Sequence, residues 1–120
     1  MVVKGKVGRR RYILFRIDSR APISTGEMIG SIVHYSGKAD IDRYRAKPWL
    51  MEFEERKERA THSYGIFRCT HWHQKEYTKL LNSIESILYK EVKIETIKCS
   101  GTIKTVREKL KELRAEEEEC

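Results

Sequence analysis

Side-chain amides are almost absent from this chain: Asn82 and Gln74 are the only two among 120 residues. Few thermolabile amides beside abundant Lys, Arg and Glu is a hyperthermophile composition, so a thermophilic source is expected. No apolar run approaches the roughly 18 residues that a membrane span needs. The cations near the start are not followed by the hydrophobic stretch of a secretory signal. A cytoplasmic location is expected, with no membrane partner. The three cysteines, Cys69, Cys99 and Cys120, make no repeated framework, and an odd number in the cytosol points to free thiols. No nucleophile motif surrounds Ser24, Ser63 or Ser100, no glycine-rich phosphate loop carries a lysine, and spacing singles out no carboxylate pair. Nothing here argues for an enzyme acting alone.

What is present is charge. Charged residues make up 36% of the chain, with 25 Lys and Arg against 18 Asp and Glu, a net charge of +7 and a pI near 9.4. An apolar content of 39% is enough for the core of one domain. A small basic protein of this kind often binds a polyanion. The charge is also uneven. Lys4, Lys6, Arg9, Arg10, Arg11, Arg16 and Arg20 crowd the first twenty residues against one acid, Asp18, whereas Glu116 to Glu119 form an acidic run. The chain therefore divides into a flexible basic arm (1–9), a folded domain (10–114) and an acidic tail (115–120). The tail is either simply solvated, or shields the basic surface, or contacts magnesium or a partner.

Periodicity orders the elements. Arg11 to Ile17 alternates Ile13, Phe15 and Ile17 with Tyr12, Leu14 and Arg16. Both sets carry apolar bulk, which predicts a central strand covered on both faces. Ser24 and Glu27 form a capping box ahead of the stripe Met28, Ile29, Ile32 and Val33, with Gly37 as its C-terminal stop. A short helix over Ala39–Arg45 ends before Pro48. Trp49 to Glu55 alternates as a half-buried strand, the charged loop Arg56–Thr61 turns, and His62–Thr70 returns. Lys75–Leu88 reads as helix, Glu91–Cys99 as the fourth strand, and Ile103, Val106, Leu110 and Leu113 stripe a last helix. Setting aside the short helix and the last one leaves β-α-β-β-α-β: an α+β sandwich of ferredoxin-like, RRM-like form, with two helices on one face of a four-stranded antiparallel sheet. The terminal helix is expected to cover part of the other face.

Several clusters carry possible chemistry. Arg9, Arg10 and Arg11 abut an aromatic strand, which suits phosphate contact with base stacking; a solvated tail is the plain alternative. At Ser100-Gly101-Thr102 a helix cap is reason enough for the hydroxyls. The same turn can hold a phosphate through backbone N–H groups, with Lys104 and Arg107 three apart on one helix face. Arg68, inside an apolar strand, either reaches out to solvent or is held on the sheet for a phosphate. Cys69, His71 and His73 would point the same way on extended backbone and could begin a zinc site, but a fourth ligand would have to come from Cys99 or His62. The plainer reading puts Cys69 in the core and His71 in a loop, with no metal bound.

Three stretches taken together resemble a known family: Arg9 to Ile17, Ser63 to His71, and Val92 to Leu110. They are similar to archaeal ribonuclease P protein component 2, most specifically at Ser100-Gly101-Thr102-Ile103-Lys104 and Gly65-Ile66-Phe67-Arg68. The resemblance spans roughly Arg10 to Leu113. It implies an RRM-like αβ sandwich and a non-catalytic subunit, since in that family the large RNA removes the 5′ leader of precursor tRNA using magnesium that the RNA holds. It also implies pairing with ribonuclease P protein component 3 and self-association within a two-plus-two heterotetramer. No cofactor is expected on the protein itself. Arg68 and the turn from Ser100 to Lys104 transfer as matched positions; Arg9, Arg10 and Arg11 follow by charge and place. A partner surface is expected on Met28, Ile29, Ile32, Val33, Ile41 and Tyr44. A generic single-stranded RNA binder and a ligand-binding ferredoxin-like domain are the competing expectations.

Overall fold

A computed structural model describes residues 8–55 and 62–118. The basic arm up to residue 7, the charged loop at 56–61, and Glu119 and Cys120 lie outside the described residues, and with them the expectations placed there. Five strands and four α-helices follow in the order β1 (Arg10–Ser19), α1 (Thr25–Lys38), α2 (Arg43–Ala46), β2 (Trp49–Phe53), β3 (His62–Thr70), α3 (Gln74–Ser83), β4 (Ser86–Ile87), β5 (Lys90–Ser100) and α4 (Ile103–Glu118). The fold is α+β, around an antiparallel sheet in the order β2-β3-β1-β5-β4.

β1 is central because both its faces are apolar. Ile13, Phe15 and Ile17 sink into the larger core with Met28 and Ile32 of α1 and Tyr77, Leu80 and Leu81 of α3. Tyr12 and Leu14 point the other way and meet Tyr64 and Ile66 of β3 beneath Val106 and Leu110 of α4. The last helix thus closes the second face of the sheet. Full burial of each such aliphatic side chain contributes about 1.5–3 kcal/mol.

Four expectations need correction. The sheet has five strands, not four, because the helix expected to reach Leu88 stops at Ser83. Asn82 turns its amide onto β5, donating to the Thr96 hydroxyl and accepting from the Thr96 N–H. Ile84 then leaves helical geometry and drops into the core. Ser86 and Ile87 form a two-residue strand, and Leu88 and Tyr89 make a tight turn with positive φ, leaving Leu88 exposed. In α1, Gly37 stays inside the helix; the left-handed residue is Asp40 (φ 55), a type that tolerates this region. The short helix α2 begins at Arg43 rather than Ala39, because the Asp42 carboxylate accepts from the N–H groups of Tyr44 and Arg45. Finally, β2 does not alternate cleanly. A register shift between Leu50 and Glu52 sends Leu50 and Phe53 to the larger core and Met51 to the face under α4.

Candidate nucleic-acid interface

One end of the sheet gathers the start of β1, the end of β3 and the end of β5. Arg10 lies opposite Thr70, and Tyr12 lies opposite Arg68 on one side and Ser100 on the other. Arg68 and Ser100 are therefore two strand spacings apart, about 10 Å. Arg9 extends the β1–β3 pairing by one step: its N–H donates to His71 Nδ1 (2.9 Å), and the His71 N–H donates to its carbonyl (2.7 Å).

The Ser100-Gly101-Thr102 turn joins β5 to α4 at this same end. The Thr102 N–H donates to Ser100 Oγ (3.3 Å), and the hydroxyls of Thr102 and Thr105 lie 2.8 Å apart. A Cβ on Gly101 would stand 2.9 Å from Arg11 Nη1. The Arg11 guanidinium thus lies against the turn, in space that a side chain at 101 would contest. Lys104 is exposed in the first turn of α4, where N–H groups lack intrahelical partners. Arg11 thus lies against the Ser100-Gly101-Thr102 turn, Lys104 follows in the first turn of α4, and Arg9, Arg10 and Arg68 stand at the same end of the sheet on the β1–β3 side.

Arg107 stands differently. Its Nη2 is 2.6 Å from Glu52 Oε1 and its Nε donates to the same oxygen (2.9 Å). Farther along α4, Arg114 pairs with Glu54 at 2.7 Å. Arg107 and Arg114 are thus neutralised by one acid of β2 and one just past its end, a pairing that helix spacing alone did not reveal.

The cysteine–histidine run is not extended. His71–His73 form a 3₁₀ turn, which breaks the alternation that would have aimed both histidines with Cys69. His71 is occupied by the Arg9 N–H, and His73 Nδ1 lies 3.4 Å from the Thr70 hydroxyl. Burial pushes the Cys69 thiol up to about 12 and raises that of Cys99. Both stay protonated near neutral pH, as thiols buried in apolar surroundings do.

The expected partner surface is split by burial. Met28, Ile32 and Ile41 are core residues and have no surface to offer, because the stripe that folds α1 must face the sheet. Ile29, Val33 and Tyr44 remain exposed. Beside Ile29 and Val33, a cavity of about 230 Å³ is completed by Pro48, Trp49 and Leu50. Trp49 is 62% exposed, a surface residue that the strand pattern of β2 concealed.

The acidic end also departs from a free tail. Residues 115–118 continue α4. Glu117 Oε1 accepts from the Tyr64 hydroxyl (2.5 Å) and lies 2.6 Å from His62 Nε2. Burial raises the Glu117 carboxyl, but the hydrogen bonds from Tyr64 and His62 outweigh it, so it sits below its ordinary value. Burial, followed by that same bond, pushes the Tyr64 phenol up to about 12.

A family model described as the Rpp14/Pop5 family matches residues 11–111. The chain belongs to the Rpp14/Pop5 family. Its relatives include proteins named ribonuclease P protein component 2. That of Thermococcus kodakarensis is 28% identical over 103 residues, covering 84% of this chain and 82% of the relative. That of Pyrococcus furiosus has the same identity and coverage. That of Methanococcus aeolicus is 30% identical over 105 residues, covering 84% and 71%. The Rpp14/Pop5 match takes in Arg11, Arg68, the Ser-Gly-Thr turn, Lys104 and Arg107, and leaves Arg9, Arg10 and Glu117 outside it.

Proposed function

We propose that this chain is a non-catalytic protein subunit of ribonuclease P, and that it binds the catalytic RNA at the sheet end formed by β1, β3 and β5. The observation that carries the RNA contact is that Arg9, Arg10, Arg11, Arg68 and Lys104 share one end of the sheet, where Arg11 lies against the Ser100-Gly101-Thr102 turn. Close-packed phosphates repel one another in a folded RNA, and cations held on a rigid sheet end offset that repulsion. The RNA would then hold its catalytic fold at lower magnesium and remove the 5′ leader of precursor tRNA, the metal being the RNA's and not the protein's.

In this reading the topology is ferredoxin-like, with β4 as an addition at the sheet edge. Ile29, Val33, Tyr44 and Trp49 form the face for ribonuclease P protein component 3, and self-association builds a two-plus-two assembly. The protein works in the cytoplasm of an archaeon. A generic RRM-type binder would instead need open aromatics on the sheet, whereas Tyr12 and Tyr64 lie buried beneath α4. A ligand-binding ferredoxin-like domain would retain a small molecule through purification.

Reconstitution tests the proposal. Cleavage of precursor tRNA by the cognate RNA is measured across magnesium concentration, with and without this chain and component 3. The expected result is a shift of the activity curve to lower magnesium when the chain is present. An unmoved curve sinks the proposal.

A further inference from the structure

Arg45 and Trp72 lie outside every site considered so far, yet they meet beside the N-terminal arm. The Arg45 guanidinium sits over the Trp72 ring, 4.6 Å from its centroid. Its backbone is pinned twice. The Thr70 hydroxyl donates to the Arg45 carbonyl (3.0 Å), and the Arg45 N–H donates to Asp42 (3.4 Å). Ala46, the next residue, is fully buried. Trp72 is held from another side by Gly8, whose Cβ, if it had one, would lie 2.8 Å from the ring and whose φ is +72°. Arg9 is fixed to His71, and Arg10 lies opposite Thr70. Three arginines thus converge on the segment Thr70-His71-Trp72. Among the described residues none of the three forms an ion pair.

We propose that Arg45, stacked on Trp72, is a preorganised phosphate-binding fork for the RNA backbone, working beside Arg9 and Arg10. This deepens the RNA-binding reading above and rests on it. The chemistry follows from the shape of the side chain. A guanidinium uses its face for an aromatic ring and keeps its N–H donors in the plane, where they match two phosphate oxygens. With its carbon seated over the ring, the group keeps its outward N–H donors available, and among the described residues Arg45 makes no ion pair. Because ring and backbone already hold the group in place, less ordering remains to oppose binding. A lysine at position 45 keeps the charge but has neither plane nor fork.

Binding of the full chain to ribonuclease P RNA transcribed in vitro, measured from low to high salt, tests this. Arg45→Ala is expected to weaken binding about tenfold and to reduce the slope of log affinity against log salt by about one. Arg45→Lys keeps the slope and loses affinity severalfold. Trp72→Leu weakens binding in the same direction with no change in net charge. Lys79→Ala removes one exposed cation from α3 and is expected to change neither quantity. If Lys79→Ala matches Arg45→Ala, only net charge matters and the fork is overturned. It is also overturned if Arg45→Ala binds like the parent. Should Trp72→Leu fail to fold, the contrast of Arg45→Lys with Arg45→Ala decides. A parent chain that does not bind the RNA removes the RNA-binding reading itself, and this inference with it.

Discussion

A methyl group on Gly65 would overlap the ring of Phe15, which has no exposed surface and cannot swing aside. The glycine of the Gly-Ile-Phe-Arg stretch is thus a packing requirement of the β1–β3 pair, where Phe15 lies directly opposite. Gly65→Ala is expected to cost about 2–3 kcal/mol, read as a lower denaturant midpoint at unchanged slope. Charge at single residues makes a second case. Glu52 pairs with Arg107, whereas Lys104 has no ion pair among the described residues, so these two cations of α4 are not equivalent. Lys104→Ala is expected to lower the salt slope of RNA binding more than Arg107→Ala does. Glu52→Gln frees Arg107, which should tighten RNA binding and steepen the slope. If Lys104→Ala and Arg107→Ala change the slope equally, the ion pair does not govern Arg107.

At the scale of elements, α4 decides which face of the sheet is open. Val106 and Leu110 seal Tyr12 and Leu14 near its start. Glu117 ties its far end to β3. The two attachments differ in kind. Leu110→Ala removes buried apolar volume and is expected to cost about 2–3 kcal/mol of global stability. Glu117→Gln removes a charge-assisted bond at a site 41% exposed, and solvent screening holds the loss to about 1 kcal/mol or less. Hydrogen exchange separates them: Glu117→Gln should speed exchange in the last turns of α4 alone, whereas Leu110→Ala should speed it throughout. The stripe Ile103, Val106, Leu110 and Leu113 was legible in the sequence because helical spacing displays it. The latch was not legible, because Tyr64 and Glu117 are 53 residues apart and no local pattern connects a strand tyrosine to a glutamate run.

For the whole molecule, titration bounds the stable range at both ends. The Glu117 and Glu27 carboxyls sit below their ordinary 4.5, Glu27 chiefly through the hydrogen bond from Lys90. The unfolded chain therefore takes up protons first as pH falls. Their contribution is present above the ordinary carboxylate value and is lost as pH drops through the lowered one. Tyr64 works at the other limit. Its phenol ionises near 10 when unfolded and at about 12 when folded, so its contribution is present below 10 and fades as pH rises toward 12. Stability measured by denaturant is expected to fall at both limbs. Glu117→Gln should weaken the acid limb and bring the phenolate absorbance of Tyr64 to lower pH. An unchanged phenolate titration would show that burial alone sets the Tyr64 value.

The amino-acid sequence by itself determined the order of the elements other than β4, the central place of β1, the capping box of α1 and the apolar stripe of α4. Each rests on contacts within a few residues, where spacing of 2 or 3.6 and a single cap suffice. Only the tertiary structure decided that α3 stops at Ser83, that Arg107 belongs to Glu52, that Arg45 rests on Trp72, and that half of the expected partner surface is core. These depend on which strands become neighbours. Strand pairing brings together side chains that lie far apart along the chain, and the energy that selects it is the burial of both faces of β1 at once.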